Sequence, residues 1–290
     1  MIMALRITNS LPTNDKIISF YNMNNHNDVI KKYVKLDKNN VLMCSYNVHG
    51  WVNINADISY DDNFKNIFNL LSKLDIDILI LQEVCIRDQL TEEYIFAEFG
   101  KIGYVDYIMV KNGGCFLKKN GYDYLMVLSK KNLTLKKDIN VTLEGFTRHC
   151  AIVGYDKLKL LCVHLEIGKR FHHLPESSQI RQKIEKQNAT IRMEQLNQLL
   201  HKYDKIDIII GDFNFMPTDP ENKWLLAENY KYYGEQEHTT PYNRTDMVFI
   251  HNTAEIEVVK NDLIRSNYSD HLPILCEFKR FPEKKKVSLP

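Results

Sequence analysis

Short apolar runs recur along this chain, and polar segments separate them. Their composition and spacing predict β-strands at residues 41–47, 77–84, 122–129, 150–155, 158–165, 206–213, 246–252 and 272–278. Several of these runs are apolar at almost every position, as expected for strands that are covered on both faces.

Helical periodicity lies between some of the predicted strands. One apolar stripe is formed by Phe64, Ile67, Phe68, Leu71 and Leu74, and a second by Met193, Leu196, Leu200 and Tyr203. Helices that alternate with buried strands indicate layered α/β packing. Only Asp156 and Lys157 separate two of the strands, which requires antiparallel pairing there, so we expect mixed sheets.

The chain has 290 residues and favours one large domain. Residues 1–38 are rich in Asn, Asp and Lys and predict an N-terminal extension that is packed on the domain or partly disordered. The domain itself is expected at 39–280. Residues 281–290 form a basic tail, for which a solvated segment is favoured over a nucleic-acid or targeting contact.

Charge and cysteine content narrow the functional class. With 38 basic and 37 acidic residues the net charge is +1, so a polyanion must be recognised by a local patch. The six cysteines mostly lie in apolar runs, which predicts buried free thiols and a reducing, intracellular location, cytoplasmic or nuclear. The N-terminus lacks an apolar signal region and no run of about 18 apolar residues occurs, so we expect no membrane span. We also expect a monomer.

Candidate chemistry lies where the apolar runs end. The polar residues at these ends are Asn47, Glu83, His164 and the pair Asp212 and Asn214, and the pair Asp270 and His271 stands where the last run begins. Each alone is more often a capping, turn or hydrogen-bonded core residue. Together they offer hard oxygen ligands, which suit Mg²⁺ or Mn²⁺ rather than zinc. The set therefore indicates a metal-assisted phosphoryl site.

These residues stand in motifs that resemble the endonuclease/exonuclease/phosphatase (DNase-I-like) superfamily. The motifs are Tyr46-Asn47-Val48-His49-Gly50, Leu81-Gln82-Glu83-Val84, Val163-His164-Leu165-Glu166, Gly211-Asp212-Phe213-Asn214, Arg244-Thr245-Asp246 and Ser269-Asp270-His271-Leu272-Pro273. The resemblance implies an α/β four-layer sandwich of two mixed sheets flanked by helices. It also implies a site at one end of the sandwich, where activated water hydrolyses a phosphate ester.

The resemblance also implies residue roles. At the metal, Glu83 would be the principal Mg²⁺ ligand with Asn47 beside it, and Asp270 would lie at the metal or the water network. Mn²⁺ is the alternative ion.

In the catalytic group, Asp212 would orient and deprotonate the attacking water, and Asn214 would hold water or phosphate. His164 and His271 would donate to the non-bridging oxygens, with Asp246 supporting His271 and raising its pKa.

Some positions depart from parts of the superfamily. Many nuclease members have an acidic residue where this chain has His49, which puts a second metal ligand there in doubt and places His49 among the candidate substrate contacts. Arg244-Thr245-Asp246 differs from the Cys-Asp-Arg element of phosphoinositide 5-phosphatases. His164-Leu165 is generally lacking in abasic-site endonucleases.

Signals for the substrate conflict. Arg192 and Gln195 resemble an Arg and Gln of 5′-tyrosyl-DNA phosphodiesterases, although both could equally cap and solvate a helix. The segment from Gly211 to Pro217 instead looks like deadenylases and many uncharacterised hydrolases. The basic stretch 168–186, which includes Arg170, could track a nucleic-acid backbone or be a solvated loop. Arg148 is a candidate phosphate contact or an exposed strand-end charge.

Three functions remain in order of preference. The first is a phosphodiesterase acting on nucleic acid as substrate. The second is a lipid or small-molecule phosphodiesterase or phosphatase, for which we find no convincing apolar membrane-docking hairpin. The third is a non-catalytic binding module, which usually lacks part of the motif set. DNA against RNA, and endonucleolytic against exonucleolytic cleavage, stay open.

Overall fold

Two six-stranded sheets form the centre of the protein. The computed structural model describes residues 35–53, 57–114, 122–143, 146–167, 175, 177–203, 205–234, 238–240 and 243–280. The strands are β1 (Val41–Asn47), β2 (Ile78–Cys85), β3 (Asp106–Gly114), β4 (Tyr122–Ser129), β5 (Leu135–Leu143), β6 (Phe146–Tyr155), β7 (Leu158–His164), β8 (Ile208–Asp212), β9 (Tyr230–Tyr233), β10 (Asp246–His251), β11 (Ile256–Leu263) and β12 (Ile274–Arg280). The helices are α1 (Tyr60–Ser72), α2 (Glu92–Gly100), α3 (Gln179–Lys202) and α4 (Pro220–Ala227), with a 3₁₀ turn at His49–Trp51.

Both sheets are mixed, as predicted. The first sheet has the order β11-β12-β1-β2-β4-β3 and the second has the order β5-β6-β7-β8-β10-β9. In each sheet one central pair is parallel, β1 with β2 and β7 with β8, while the other pairs are antiparallel. In each sheet, the carboxyl ends of the two parallel strands therefore point in the same direction and lie at the same end of the sheet.

Alternating side chains along the central strands build three apolar layers. In β1, Val41 and Met43 belong to the core between the two sheets, whereas Leu42 and Cys44 pack against the helices on the outer face. The same alternation in β8 sends Ile209 to the outer face of the second sheet. Because both faces are covered, these strands are apolar at almost every position before their polar carboxyl ends. The predicted four-layer α/β sandwich is confirmed.

The first helical stripe is confirmed and the second is wrong in part. On α1, Phe64, Ile67 and Leu71 are buried, and the side chain of Ser59 caps the helix by accepting a hydrogen bond from Asp62 N at 3.1 Å. On α3, Leu196 is buried as predicted, but Met193 and Leu200 are only half-buried. The buried face is instead formed by Asn188, Ala189, Ile191, Arg192, Gln195, Leu196 and Leu199. Because this face contains polar residues, its helical periodicity could not be recognised from the apolar positions in the sequence.

All eight predicted strands are present with small shifts of their ends, and four further strands were missed. The missed strands are β3, β5, β9 and β11, which are the four edge strands of the two sheets. Edge strands are covered less completely, so their sequences alternate with charged residues and lack a continuous apolar run. In β11, for example, only Ile256 and Leu263 are buried.

The chain entering the domain is packed against it. Lys35 Nζ lies 2.7 Å from Asp77 Oδ2, and Leu36 N donates to Glu277 Oε1 at 2.8 Å. Residues 1–34 of the predicted extension (residues 1–38) and the basic tail lie outside the described residues, so the domain boundaries stay predictions. Five cysteines are buried free thiols as predicted, and Cys115 lies outside the described residues. No described helix is long and apolar enough to cross a membrane.

Candidate active site

Strand ends bring the predicted site residues to one edge of the sandwich. Asn47, His164 and Asp212 are the last residues of β1, β7 and β8. Each lies an even number of positions from a residue of the core between the sheets, namely Met43, Cys162 and Ile210. Since side chains two apart share a face of a strand, all three face the space between the sheets. The candidate site therefore lies at the end of the sandwich, where the core between the two sheets stops.

Glu83 reaches the same space through a β-bulge. In the pairing of β2 with β4, Leu81 faces Met126 and Val84 faces Tyr124, so Gln82 and Glu83 together oppose one residue. Glu83 has a φ of 55°, a left-handed conformation that is costly for a residue with a side chain. Bulges re-aim side chains at functional sites, and this one directs the carboxylate toward Asn47.

His49 is held by a turn with left-handed backbone. The φ angles of His49, Gly50 and Trp51 are 48°, 61° and 66°. Trp51 anchors this turn, because its side chain is fully buried, donates from Nε1 to Cys85 O at 3.1 Å and packs edge-on to Phe64. The backbone N of His49 donates to Asn47 Oδ1 at 3.0 Å, which fixes the orientation of the Asn47 amide.

The Asn47 amide joins the two sheets. Its Nδ2 donates to Glu83 Oε1 at 3.0 Å and to Asp212 Oδ2 at 3.2 Å. His164 Nε2 lies 3.7 Å from each of the same two oxygens. Four side chains from four strands therefore share one small volume. Burial, and then the nearby Asp270 carboxylate, raise the pKa of Glu83, although His49 opposes the shift.

The loop before β12 closes the other side of the site. Asp270 Oδ1 lies 3.2 Å from His49 Nδ1, which is also 3.7 Å from Glu83 Oε2. Ser269 ties the loop to β1 because its Oγ donates to Asn47 O at 2.7 Å and accepts from His271 N at 3.2 Å. The Asp270 and Glu83 carboxylates thus share His49 as a neighbour.

Asp246 and His271 form a buried carboxylate–imidazole pair. His271 Nδ1 lies 2.8 Å from Asp246 Oδ2, and His271 Nε2 lies 3.9 Å from Asp212 Oδ2. Burial alone would lower the pKa of His271. The Asp246, Asp212 and Asp270 carboxylates together outweigh burial, with Asp246 contributing most of the opposition, and raise the pKa well above the usual histidine range.

His164 has the opposite electrostatic setting. Burial, assisted by the Arg148 guanidinium and by His271, lowers the pKa of His164 to about 3. Arg148 itself forms a largely buried ion pair in which Nε lies 3.0 Å from Glu166 Oε2. Arg148 lies near enough to influence His164 and engages Glu166 through its Nε, and its role as a phosphate contact stays a prediction.

Asp212 and Asn214 are locked into a tight turn. The backbone N of Asn214 donates to Asp212 Oδ1 at 2.9 Å, and Asn214 Nδ2 donates to Leu165 O at 2.9 Å. Gly211 permits this arrangement because a Cβ at its position would lie 1.9 Å from Val163 O. Asn214 thus uses its amide nitrogen to join the loops after β7 and β8.

The residues around Glu83 fit a divalent cation. Glu83 Oε2 is buried and has no hydrogen-bond partner among the described residues, so a cation there would satisfy it. Asp270 provides a further carboxylate nearby, whereas Asn47 presents its amide nitrogen to Glu83 while its oxygen accepts from His49 N. Asp212, Asp246 and His271 also offer ligand atoms within 4.8 Å of one another, and Asp246 Oδ1 likewise lacks a described partner. However, the hydrogen bond between His271 and Asp246 and the raised pKa of His271 favour a protonated imidazole there, which cannot bind metal.

Arg192 and Gln195, each considered either as a substrate contact or as a helix-capping residue, make buried contacts with the scaffold. Arg170 lies outside the described residues. Arg192, considered as a substrate contact, is buried in an ion pair in which its Nη2 lies 2.7 Å from Glu221 Oε1. Gln195 Oε1 accepts from Glu166 N at 3.3 Å, so it too supports the scaffold.

Sequence reasoning missed Thr239, a buried residue that contacts the segments carrying Asp246 and His271. It stands in a polar segment without apolar periodicity, and no local pattern distinguishes it.

Comparison with solved structures gives the same architecture. The human Nocturnin catalytic domain with bound sulfate aligns with a TM-score of 0.61 at 17% identity, over 86% of this chain and 96% of that chain. D. rerio TDP2 complexed with single-strand DNA product aligns at 0.54 and 20% identity, over 84% and 100%. The Neisseria 3′ phosphatase NExo bound to a product DNA hairpin aligns at 0.51 and 18% identity, over 82% and 99%. At these identities the likeness establishes the fold.

Sequence comparisons agree at the level of the family. The model of the Endonuclease/Exonuclease/phosphatase family matches residues 40–271, which includes every motif described above except the last two residues, Leu272 and Pro273, of the final motif. No curated protein sequence matches the chain.

Proposed function

The chain belongs to the endonuclease/exonuclease/phosphatase family, whose members are hydrolases acting on phosphate esters, and from this premise we propose that it is a Mg²⁺-dependent phosphodiesterase of nucleic acid. The observation that carries this proposal is the contact of Asn47 with both Glu83 and Asp212. This contact places the candidate metal ligand and the candidate base within one hydrogen-bonding group, beside two histidines.

Asp212 is the group best placed to activate water. Its Oδ1 is held by Asn214 N and its Oδ2 by Asn47 Nδ2, so the carboxylate has a fixed orientation. A base held in this way loses little entropy on taking the proton of an attacking water molecule. The remaining side chains around it, His164 and His271, are hydrogen-bond donors rather than competing bases.

Glu83 and Asp270 would hold the cation, with the Asn47 amide beside them. Mg²⁺ prefers oxygen ligands, and one or two carboxylates with water and substrate phosphate are its usual set. When bound, the ion would neutralise charge on the phosphate oxygens and the leaving group. Glu83 needs such a charge nearby, because burial disfavours its ionised form.

The two histidines complement the charge that develops on the phosphate. His271 keeps a proton because Asp246 raises its pKa, so its Nε2 can donate to a non-bridging oxygen. His164 is neutral near pH 7, and in the tautomer protonated at Nε2 it provides a second donor without adding positive charge. Together they would stabilise the transition state more than the ground state.

Two observations support nucleic acid as the substrate class. TDP2 and NExo, which share the fold, have structures with bound DNA products. The stretch 168–186 is rich in Lys and Arg, and in the sequence it begins four positions after the site residue His164. DNA, RNA and 5′-phosphotyrosyl ends are all compatible with these features.

A matched substrate panel tests the proposal. It contains single-stranded and duplex DNA, RNA, a 5′-phosphotyrosyl oligonucleotide, sphingomyelin and a phosphoinositide, each assayed with Mg²⁺ and with chelator. Asp212→Asn is the inactive reference. Asp156→Asn is its matched control, because this carboxylate lies in the β6–β7 turn, at the opposite end of β7 from His164. Asp156 also has a φ of 53°, which Asn tolerates.

Chelator-sensitive cleavage of a nucleic-acid substrate by the wild type and by Asp156→Asn, but not by Asp212→Asn, is the expected result. Cleavage confined to the lipids would reject nucleic acid as the substrate class. Cleavage that persists in Asp212→Asn would reject the assigned base.

A further inference from the structure

Thr239 connects the parts of the site that no sequence motif links. Its hydroxyl oxygen accepts hydrogen bonds from Thr245 N at 3.1 Å and from Asp246 N at 3.2 Å. Its carbonyl oxygen accepts from Leu272 N at 2.7 Å. Leu272 directly follows His271, so one buried residue holds the backbone beside both members of the Asp246–His271 pair.

The same connection extends to Asp212. Phe213 N, next to Asp212, donates to Thr245 O at 2.9 Å, while Thr245 N donates to the Thr239 hydroxyl. Thr239 is only 1% exposed, so water cannot readily replace it as an acceptor. The segment that contains Thr239 therefore fixes the loop before β10 relative to the loops after β8 and before β12.

From these contacts we propose that Thr239 is a positioning residue for the reaction, which holds the Asp246 carboxylate against His271 through its hydroxyl and carbonyl oxygens. The inference rests on the proposed function in one respect, since the pair affects turnover only if the site is hydrolytic. The geometry of the pair can be measured independently of turnover.

Substitution with a residue of the same shape isolates the hydroxyl. Thr239→Val keeps the volume but leaves two buried N–H groups without an acceptor, whereas Thr239→Ser keeps the acceptor. Thr240→Val is the matched control, because it changes the neighbouring threonine, whose hydroxyl donates to Asn243 O and accepts from Asn243 N. Thr239→Ala is a second test. It leaves room for a water molecule to satisfy the two donors while removing the rigid connection.

The kinetic expectation is a selective loss of turnover. Thr239→Val should lower kcat by about 10- to 100-fold with KM within about twofold, because the pair acts in the transition state. Thr239→Ser should recover most of kcat, Thr239→Ala should resemble Val, and Thr240→Val should match the wild type. In an Asp246→Asn background, Thr239→Val should cause little further loss, since the pair it positions is already broken.

Proton NMR gives a readout that does not depend on substrate. The hydrogen-bonded Nδ1 proton of His271 should give a downfield signal that is absent from His271→Gln. This signal should persist in Thr239→Ser and be shifted or lost in Thr239→Val and Thr239→Ala.

If Thr239→Val kept both the wild-type kcat and this signal, the positioning role would be wrong. An equal loss of kcat in the Asp246→Asn background would also reject it, because the effect would then not pass through the pair. If the wild type cleaved no substrate of the panel while the signal changed as expected, the proposed function would fail and the role of Thr239 in the pair would stand.

Discussion

Asp212, the last residue of β8, is paired directly with Asp246, the first residue of the antiparallel strand β10. The two carboxylates therefore lie side by side at the end of the second sheet where β8 terminates, although 34 positions separate them in the chain. His271 lies between them, with Nδ1 2.8 Å from Asp246 Oδ2 and Nε2 3.9 Å from Asp212 Oδ2. The geometry distinguishes the two carboxylates. Asp246 orients the imidazole, whereas Asp212 accepts a hydrogen bond from Asn47 Nδ2, which also donates to Glu83, the candidate metal ligand.

Asp212→Asn should lower kcat by roughly a thousandfold or more while leaving the fold intact, because the base is lost while the side chain keeps its size and its amide oxygen can still accept from Asn214 N. Steady-state kinetics and circular dichroism measure the two effects. Asp156→Asn, far from the site, should keep nearly full activity. Near-normal turnover of Asp212→Asn would assign the base to another group.

The pH dependence of the rate should follow His271. The Asp246 carboxylate raises the pKa of His271, so activity that needs its proton is present at neutral pH and is lost as the pH rises through that raised pKa. Asp246→Asn removes the charge and leaves burial to lower the pKa, so the alkaline limb of the pH–rate profile should move to lower pH. In Asp138→Asn, which breaks the similar pair with His149 away from the site, the profile should not move. An unchanged profile in Asp246→Asn would contradict the pairing.

Glu83→Gln should separate metal binding from folding. Burial raises the pKa of Glu83, so ionisation costs stability as the pH rises above the ordinary carboxyl range when no cation is present. Without metal the Gln variant should therefore melt at the same or a higher temperature than the wild type.

Mg²⁺ at about 100 times its Kd should stabilise the wild type by about 2.7 kcal/mol and the Gln variant much less. Differential scanning calorimetry with and without chelator measures both effects. The control is Glu185→Gln, in an ion pair on α3, which should respond to Mg²⁺ like the wild type. An equal response of Glu83→Gln would place the cation elsewhere.

Gly211→Ala should disrupt the turn that carries Asp212. Gly211 has a φ of 148°, and an added Cβ would lie 1.9 Å from the backbone oxygen of Val163. Because that backbone lies in the neighbouring central strand and cannot move cheaply, we expect a loss of about 2–4 kcal/mol in the free energy of unfolding. Gly100→Ala, where a Cβ meets nothing within 4 Å, is the control. Chemical denaturation should show a clear difference between the two.

Arg192→Ala tests whether this residue supports the scaffold or contacts substrate. Its removal leaves the fully buried Glu221 carboxylate unpaired, which should cost about 3–5 kcal/mol of folding stability. Lys65→Ala, which breaks an exposed ion pair with Asp62, should change stability by less than about 1 kcal/mol. A stable Arg192→Ala variant with a raised KM would instead favour the substrate contact.

The central strands and their polar ends could be predicted because each is a local pattern. A strand that is covered on both faces is apolar at almost every position, and the polar residue at its end stands out. The four edge strands and the buried face of α3 could not be predicted in this way. Edge strands are partly solvated, and α3 buries Arg192 and Gln195, whose partners Glu221 and Glu166 lie far along the chain.

The sequence by itself determined the layered α/β class, the central strands, the motif set and the chemical character of the site. Tertiary structure alone decided how these parts meet. It placed a bulge at Glu83 that turns its carboxylate toward Asn47, engaged Arg148 and Arg192 in buried ion pairs, and brought Thr239 against the Asp246–His271 pair. The physical reason is that periodicity depends on local burial along an element, whereas these contacts join residues distant in sequence and depend on strand register and loop geometry.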